Sequence, residues 1–291
     1  MDQVIVSIIG GASLGGTYAL IGLGLVLAFR ATATFNFAHG QLMLLPAFIV
    51  AKWQTERAAP LGISIAFSLL VVAAVSILFY LLVLQKLTGL PHFMGVIATL
   101  GLAAVLDGAM ALQFGSTQYT INIPFLPTGP VTVLGTRVSS TSLVLAGFTL
   151  VLAIAVATVL RTTRFGTQVR AAGQDAVLAS QGGINVRRLY IVSWAMAGVL
   201  AGVAGLSYGA TNVVSPSVVN LALLAFPAIL LGGLDSIEGA VVGGIIVGIM
   251  QGFVATYWGG ELTDVMTYLL LLAVLLVRPT GLFGTAEVTR V

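Results

Sequence analysis

The chain has 291 residues, 58% hydrophobic and 7% charged, with a formal net charge of +3. Soluble domains average about 45–50% apolar and about 25% charged, so this composition excludes a water-soluble fold and predicts an all-α polytopic membrane protein. In such a chain basic residues mark a membrane side rather than a nucleic-acid partner. Cysteine is absent, which excludes disulfides and thiolate metal sites, and His39 and His92 are too few for a histidine metal site. The N-terminal Met-Asp-Gln lacks a basic n-region, so no cleavable signal peptide is expected.

The sparse charges punctuate the apolar runs. Spans are predicted near 4–29, 37–52, 62–84, 92–113, 141–160, 189–210, 219–232, 237–257 and 263–277. A spanning helix needs about 20 apolar residues. The runs 37–52, 219–232 and 263–277 fall short and read as half-helices or re-entrant segments, giving about eight or nine elements. With the N-terminus outside, Arg30, Lys86, Arg161, Arg164, Arg170, Arg187, Arg188, Arg278 and Arg290 fall inside. Only Lys52, Arg57 and Arg137 fall outside, so the predicted orientation is N-out/C-in. The glycine-rich runs 10–16 and 243–248 carry small-xxx-small spacings that suit close helix packing. Each half also has a glycine-rich span followed by a short one, which leaves a degenerate repeat open.

The segment Phe35-Asn36-Phe37-Ala38-His39-Gly40 opens the second span. Asn36 is placed to cap that helix, with His39 in its first turn and Pro46 further along. Two readings stand: a capped, kinked helix with an interfacial histidine, or a discontinuous helix beside a transport path. Asp107 is the one carboxylate placed well inside a long predicted span, Glu238 and Asp264 lying at the first turns of theirs, with no Lys or Arg at similar depth. It is expected to face water or to bond a Ser, Thr or Gln. A proton relay is the competing role.

Residues 114–140 form a long loop on the outer side, rich in proline and in alternating runs that suit short strands. It reads as a lid or as a docking surface for an extracytoplasmic partner. The inner segment 161–188 holds five of the chain's twelve basic residues. Gly173 and Gly182–Gly183 read as helix stops, and Asp175 as the cap of a short helix over Ala176–Gln181. Ala176 and Ala179–Ser180 lie close together on its one small apolar face, and Asn185 is placed to cap the next span. Such a helix suits a docking partner; a solvated linker is the plainer reading. In 231–239, Gly232 and Gly233 end one helix and Asp235 or Ser236 caps the next. Arg278-Pro279 ends the last span. No phosphate-binding Gly-x-x-x-x-Gly-Lys-Ser/Thr loop is present, so any ATP chemistry belongs to another chain.

Taken together, Gly15-Gly-Thr-Tyr-Ala-Leu-Ile-Gly22, Asn36-Phe-Ala-His-Gly40, Ile97-Ala-Thr-Leu-Gly-Leu102, Phe114-Gly-Ser116, Gly166-x-x-x-Arg-Ala171 through Gly183-Ile184, Leu231-Gly-Gly-Leu-Asp-Ser-Ile-Glu-Gly-Ala240 and Arg278-Pro-Thr-Gly-Leu-Phe-Gly284 resemble the permeases of branched-chain amino-acid ABC importers, specifically the LivH-type subunit. The match runs nearly end to end. It implies one transmembrane permease domain over 1–291 in a bacterial cytoplasmic (inner) membrane, with no catalytic activity and no cofactor of its own. It implies as partners a second, LivM-like permease, two ATPase subunits carrying ATP-Mg, and an extracytoplasmic substrate-binding protein, all among membrane lipid. Arg164, Gly166, Arg170, Ala171, Asp175, Ala179, Gly182, Gly183 and Ile184 would belong to the ATPase-coupling segment. Asn36, Phe37, His39 and Asp107 would lie along or gate the translocation path. Related permeases carry urea, short amides or aromatic acids, so the resemblance fixes the machine more tightly than the solute. An ion-coupled carrier using Asp107 is the alternative outside the ABC class.

Overall fold

The computed structural model describes residues 2–284, the side chain of His92 excepted; Arg290, used in the charge count, lies outside them. The helices in chain order are α1 (Asp2–Thr32), α2 (His39–Arg57), α3 (Leu61–Leu82), α4 (His92–Phe114), α5 (Ser140–Thr162), α6 (Arg164–Gln174), α7 (Ala176–Gln181), α8 (Val186–Gly209), α9 (Val219–Gly232), α10 (Ile237–Tyr257) and α11 (Thr263–Val277). A short antiparallel hairpin, β1 (Pro130–Val133) and β2 (Thr136–Ser139), pairs Pro130 with Ser139 and Val133 with Thr136. Seven helical stretches among the described residues are long and apolar enough to cross a membrane. The protein is therefore an all-α, multi-pass membrane protein.

The second span is longer than its apolar run. It continues past Lys52 to Arg57, where Ala58 turns left-handed (φ 47°) and Pro60 follows. Charges at its end had masked a helix of 19 residues. Lys52 does not break it, because its ammonium donates to the Gln113 carbonyl at 2.6 Å and lies 3.9 Å from Glu56. The short spans 219–232 and 263–277 keep their predicted bounds.

Contacts group the described residues into two compact units interleaved along the chain. In the unit built from Leu27–Pro124 and Thr158–Ala222, α2, α3 and α8 pack against one another, and fully buried Trp194 of α8 lies with Phe79 and Tyr80 of α3 and Ala28 of α1. The Trp194 indole donates to the Thr32 hydroxyl at 3.3 Å. Close approach rests on Gly205, where a Cβ would strike the Met43 carbonyl of α2. Phe48 of α2 stacks on Phe114 of α4 at 5.0 Å.

The other unit takes the first part of α1, the hairpin, most of α5, most of α9, and α10 and α11. Here the glycine runs meet each other: Gly11 and Gly15 of α1 lie against Gly248 and Gly244 of α10, backbone on backbone. Gln251 of α10 accepts from the Tyr18 hydroxyl (2.9 Å) and donates to Thr267 of α11 (2.7 Å). Thr267 is the buried residue of α11, whose outer faces are otherwise apolar and exposed. Ser236 caps α10 by accepting from Gly239 N–H at 2.9 Å. Beyond α11 the chain folds back, and the Leu282 and Phe283 N–H groups donate to the Leu231 and Gly232 carbonyls (2.7 and 2.8 Å).

Candidate coupling segment and intramembrane site

The 161–188 segment is more ordered than its sequence suggests. α5 runs to Thr162, and Thr163 caps α6 by accepting from Gly166 N–H. α6 itself was not predicted: Gly173 read as a helix stop, and Gly166 was assigned to no helix. Both lie inside it, and each serves a close contact: a Cβ at Gly166 would overlap the Leu160 carbonyl, and one at Gly173 would meet the Arg30 carbonyl. Val169 and Ala172 complete the buried face of α6. The Arg170 guanidinium donates to the Leu160 and Arg161 carbonyls (2.9 and 3.2 Å) and to Thr167 (3.1 Å). It therefore satisfies orphan carbonyls at the end of α5 and adds charge where the helix dipole is negative.

α7 matches its predicted bounds, Ala176–Gln181. One carboxylate oxygen of Asp175 accepts from Val177 and Leu178 N–H at 2.8 and 2.9 Å. At the other end Gly182, Gly183 (φ 84°) and Ile184 donate to the Leu178, Ser180 and Ala179 carbonyls, closing a glycine C-cap. Asn185 caps α8 by accepting from Arg188 N–H at 3.0 Å. The face that α7 offers differs from the expected one. Ala179 is buried, whereas Val177 and Leu178 are 65% and 64% exposed. Ala171 and Ile184 are half-buried, and Arg164, Arg187 and Arg188 are exposed.

The second cluster lies between α2 and α4. Asn36 does not cap α2: the helix begins after Ala38 with no side-chain cap, and the Asn36 carboxamide oxygen accepts from Ala38 N–H at 3.0 Å within the preceding turn. A turn so tight brings the side chain to its own backbone two residues on, ahead of the helix. Asn36 and His39 are buried, while Phe37 is partly exposed. Thr99 of α4 accepts from Phe37 N–H (3.2 Å), and its oxygen lies 3.1 Å from the Phe35 carbonyl. The non-helical entry to α2 is thereby tied to α4.

Asp107 lies two helical turns further along α4, about 12 Å from Thr99 by helix rise. It is exposed, and one carboxylate oxygen accepts from the Gln41 side-chain amide at 3.0 Å. Gln41 is 5% exposed. The expected neutral partner is thus a glutamine from α2, two residues after His39. Gln41 was missed individually because its partner is 66 residues away in sequence; a lone amide inside Gln41-Leu-Met-Leu-Leu was the available signal. A cleft of about 390 Å³ opens beside Asp107, walled by Leu44, Phe48 and Met110 and reached by Asn220.

With this geometry in place, residues 7–275 match the family described as the permease component of the branched-chain amino acid transport system. The chain belongs to that family. It is a transport subunit, not an enzyme. Its relatives include the high-affinity branched-chain amino acid transport system permease protein BraD of Pseudomonas aeruginosa, 29% identical over 98% of this chain and 97% of that protein. The corresponding LivH protein of Salmonella typhimurium is 30% identical over 97% and 96%. A probable LivH of Methanocaldococcus jannaschii is 28% identical over 91% and 88%. Among solved structures, PsaBC from Streptococcus pneumoniae in complex with Fab aligns with a TM-score of 0.50 at 12% identity, over 96% of this chain and 93% of that one, a likeness of fold alone.

Proposed function

We propose that this permease carries branched-chain amino acids across a bacterial cytoplasmic membrane as one subunit of an ATP-driven importer. Its partners are a second, LivM-like permease, two ATPase subunits and an extracytoplasmic substrate-binding protein. About eight or nine of the helices α1–α5 and α8–α11 cross or enter the membrane, with the N-terminus outside and the C-terminus inside. This orientation places α6 and α7 on the cytoplasmic side, where Arg30 and Lys86 also fall.

The observation that carries the reading is α7. It is a six-residue helix between two membrane spans, capped at both ends, with two apolar side chains turned to solvent. An exposed apolar pair on a rigid, capped helix is suited to a groove on another protein. ATP-driven closure of the ATPase pair then moves α6 and α7, and through Arg170 and Gly166 the end of α5.

The test is reconstitution. Liposomes holding both permeases and the ATPase, supplied with binding protein, should accumulate radiolabelled leucine only with ATP, and deletion of 175–181 should abolish uptake. Leucine uptake by the lone chain without ATP, lost in D107N, would favour the ion-coupled carrier, for which the exposed carboxylate of Asp107 is the supporting feature. Uptake of urea, amides or aromatic acids in place of leucine would move the solute and leave the machine standing.

A further inference from the structure

Asp107 has a chemistry that the coupling role of this chain does not use. A carboxylate well inside a span costs about 2.5–3.5 kcal/mol at the bilayer centre and does not face lipid. Asp107 is nevertheless exposed, near the middle of α4. An ionised carboxylate accepts at about four lone-pair positions. Only one oxygen has a protein partner among the described residues, the Gln41 amide, and Asp107 makes no ion pair there. Gln41 is buried, and its own carbonyl oxygen has no hydrogen-bond partner among the described residues. A side chain that forgoes a hydrogen bond in order to orient a second one is a positioning group for that second one.

Asp107 lines a cleft, and the other residues of that cleft say what it suits. The cleft beside Asp107 measures about 390 Å³, within the range of about 300–1,000 Å³ typical of small-molecule sites. Leu44, Phe48 and Met110 give it an apolar wall, and the exposed Asn220 side chain supplies a neutral amide at its rim. The site thus holds one fixed negative charge, one apolar surface and one amide able to donate. A carboxylate that carries no ammonium group would be repelled by the charge. Urea and simple amides would leave it without a cation. An apolar α-amino acid fits all three groups at once.

We infer that Asp107, oriented by Gln41, receives the α-ammonium group of the transported amino acid while its aliphatic side chain lies on Leu44, Phe48 and Met110. This rests on the amino-acid importer reading and narrows it: the permease itself selects for an ammonium-bearing solute.

The test uses the assembled importer in liposomes, with D107N and D107E compared at equal subunit content. Losing the charge should cut ATP-driven leucine uptake about tenfold or more, the scale of one charge-assisted hydrogen bond. D107E, which keeps the charge, should restore most of it. Wild-type uptake by D107N, or a D107E complex as inactive as D107N, would overturn the inference. A second arm reads the site without transport. Asp107 in the wild-type complex is esterified with an excess of a hydrophobic diazo reagent, which the amino groups of the ligands do not intercept, and quantified by peptide mass spectrometry. L-Leucine and 3-methylbutylamine should protect it, and 4-methylpentanoate, which lacks the ammonium, should not. Equal modification with and without leucine, or protection by 4-methylpentanoate, would refute ammonium recognition. A wild-type complex that imports no leucine with ATP would overturn the importer reading instead, and the protection arm would still decide the role of Asp107.

Discussion

Replacing Val177 and Leu178 together by alanine strips the offered face of α7 and leaves both of its caps in place. The double change removes about five apolar carbons, each worth about 0.8 kcal/mol when fully buried. The two side chains are 65% and 64% exposed in the chain alone, so about two-thirds of that value is available to a partner. The expected loss is about 2.6 kcal/mol, on the order of 50–100-fold in affinity for the ATPase. The assay is titration of purified ATPase against the permease pair in nanodiscs, followed by leucine-stimulated ATP hydrolysis in the same samples. The amide exchange of α7 reports that the helix itself is intact. Affinity within threefold of wild type, with stimulation retained, would refute α7 as the contact. Substitution of Ala179 is no substitute for this experiment, because Ala179 is buried and its loss disturbs packing first.

Other expectations follow from single contacts. D175A removes the acceptor for two N–H groups of α7 and should cost that helix about 1 kcal/mol, read as roughly fivefold faster amide exchange over 177–181; unchanged exchange would show that the cap does not hold it. Q251L removes the acceptor of the Tyr18–Gln251 hydrogen bond and detaches Thr267, and should lower stability by about 0.6–2 kcal/mol in a thermal melt. An unchanged melt would mean that α11 is held by its apolar contacts instead. G205L drives a side chain into the Met43 carbonyl and should reduce folded yield, with a cost of about 1–3 kcal/mol or more. G101A, where a Cβ meets nothing within 4 Å, should be neutral in the same measurement.

What could be read in advance follows the range of the interaction. α7 was legible to the residue because its determinants are local: a capping aspartate on one side and two glycines on the other. The spans were legible because lipid demands long apolar runs. α6 was not, since Gly173 looks like a stop until the carbonyl of Arg30 is seen to press on it. The end of α2 was hidden for a related reason: Lys52 looks like a boundary until Gln113 is found to receive it. Gln41 and the exposed face of α7 share the remaining cause. Which amide meets Asp107, and which side of a short helix is covered, depend on chain segments far away in sequence. The alanines suggested a docking face by their size, and packing used one of them for the interior.

The seam between α1 and α10 carries a consequence for motion. At Gly11, Gly15, Gly244 and Gly248 the two backbones touch with almost no side chain between them. Interfaces that slide do so by exchanging rotamers, and a seam of this kind has none to exchange. Displacing one helix along the other by a single residue would push neighbouring side chains into carbonyl groups. The spacing of α1 and α10 is therefore set by backbone shape at these four glycines, and a side chain introduced at any one of them would force the two helices apart.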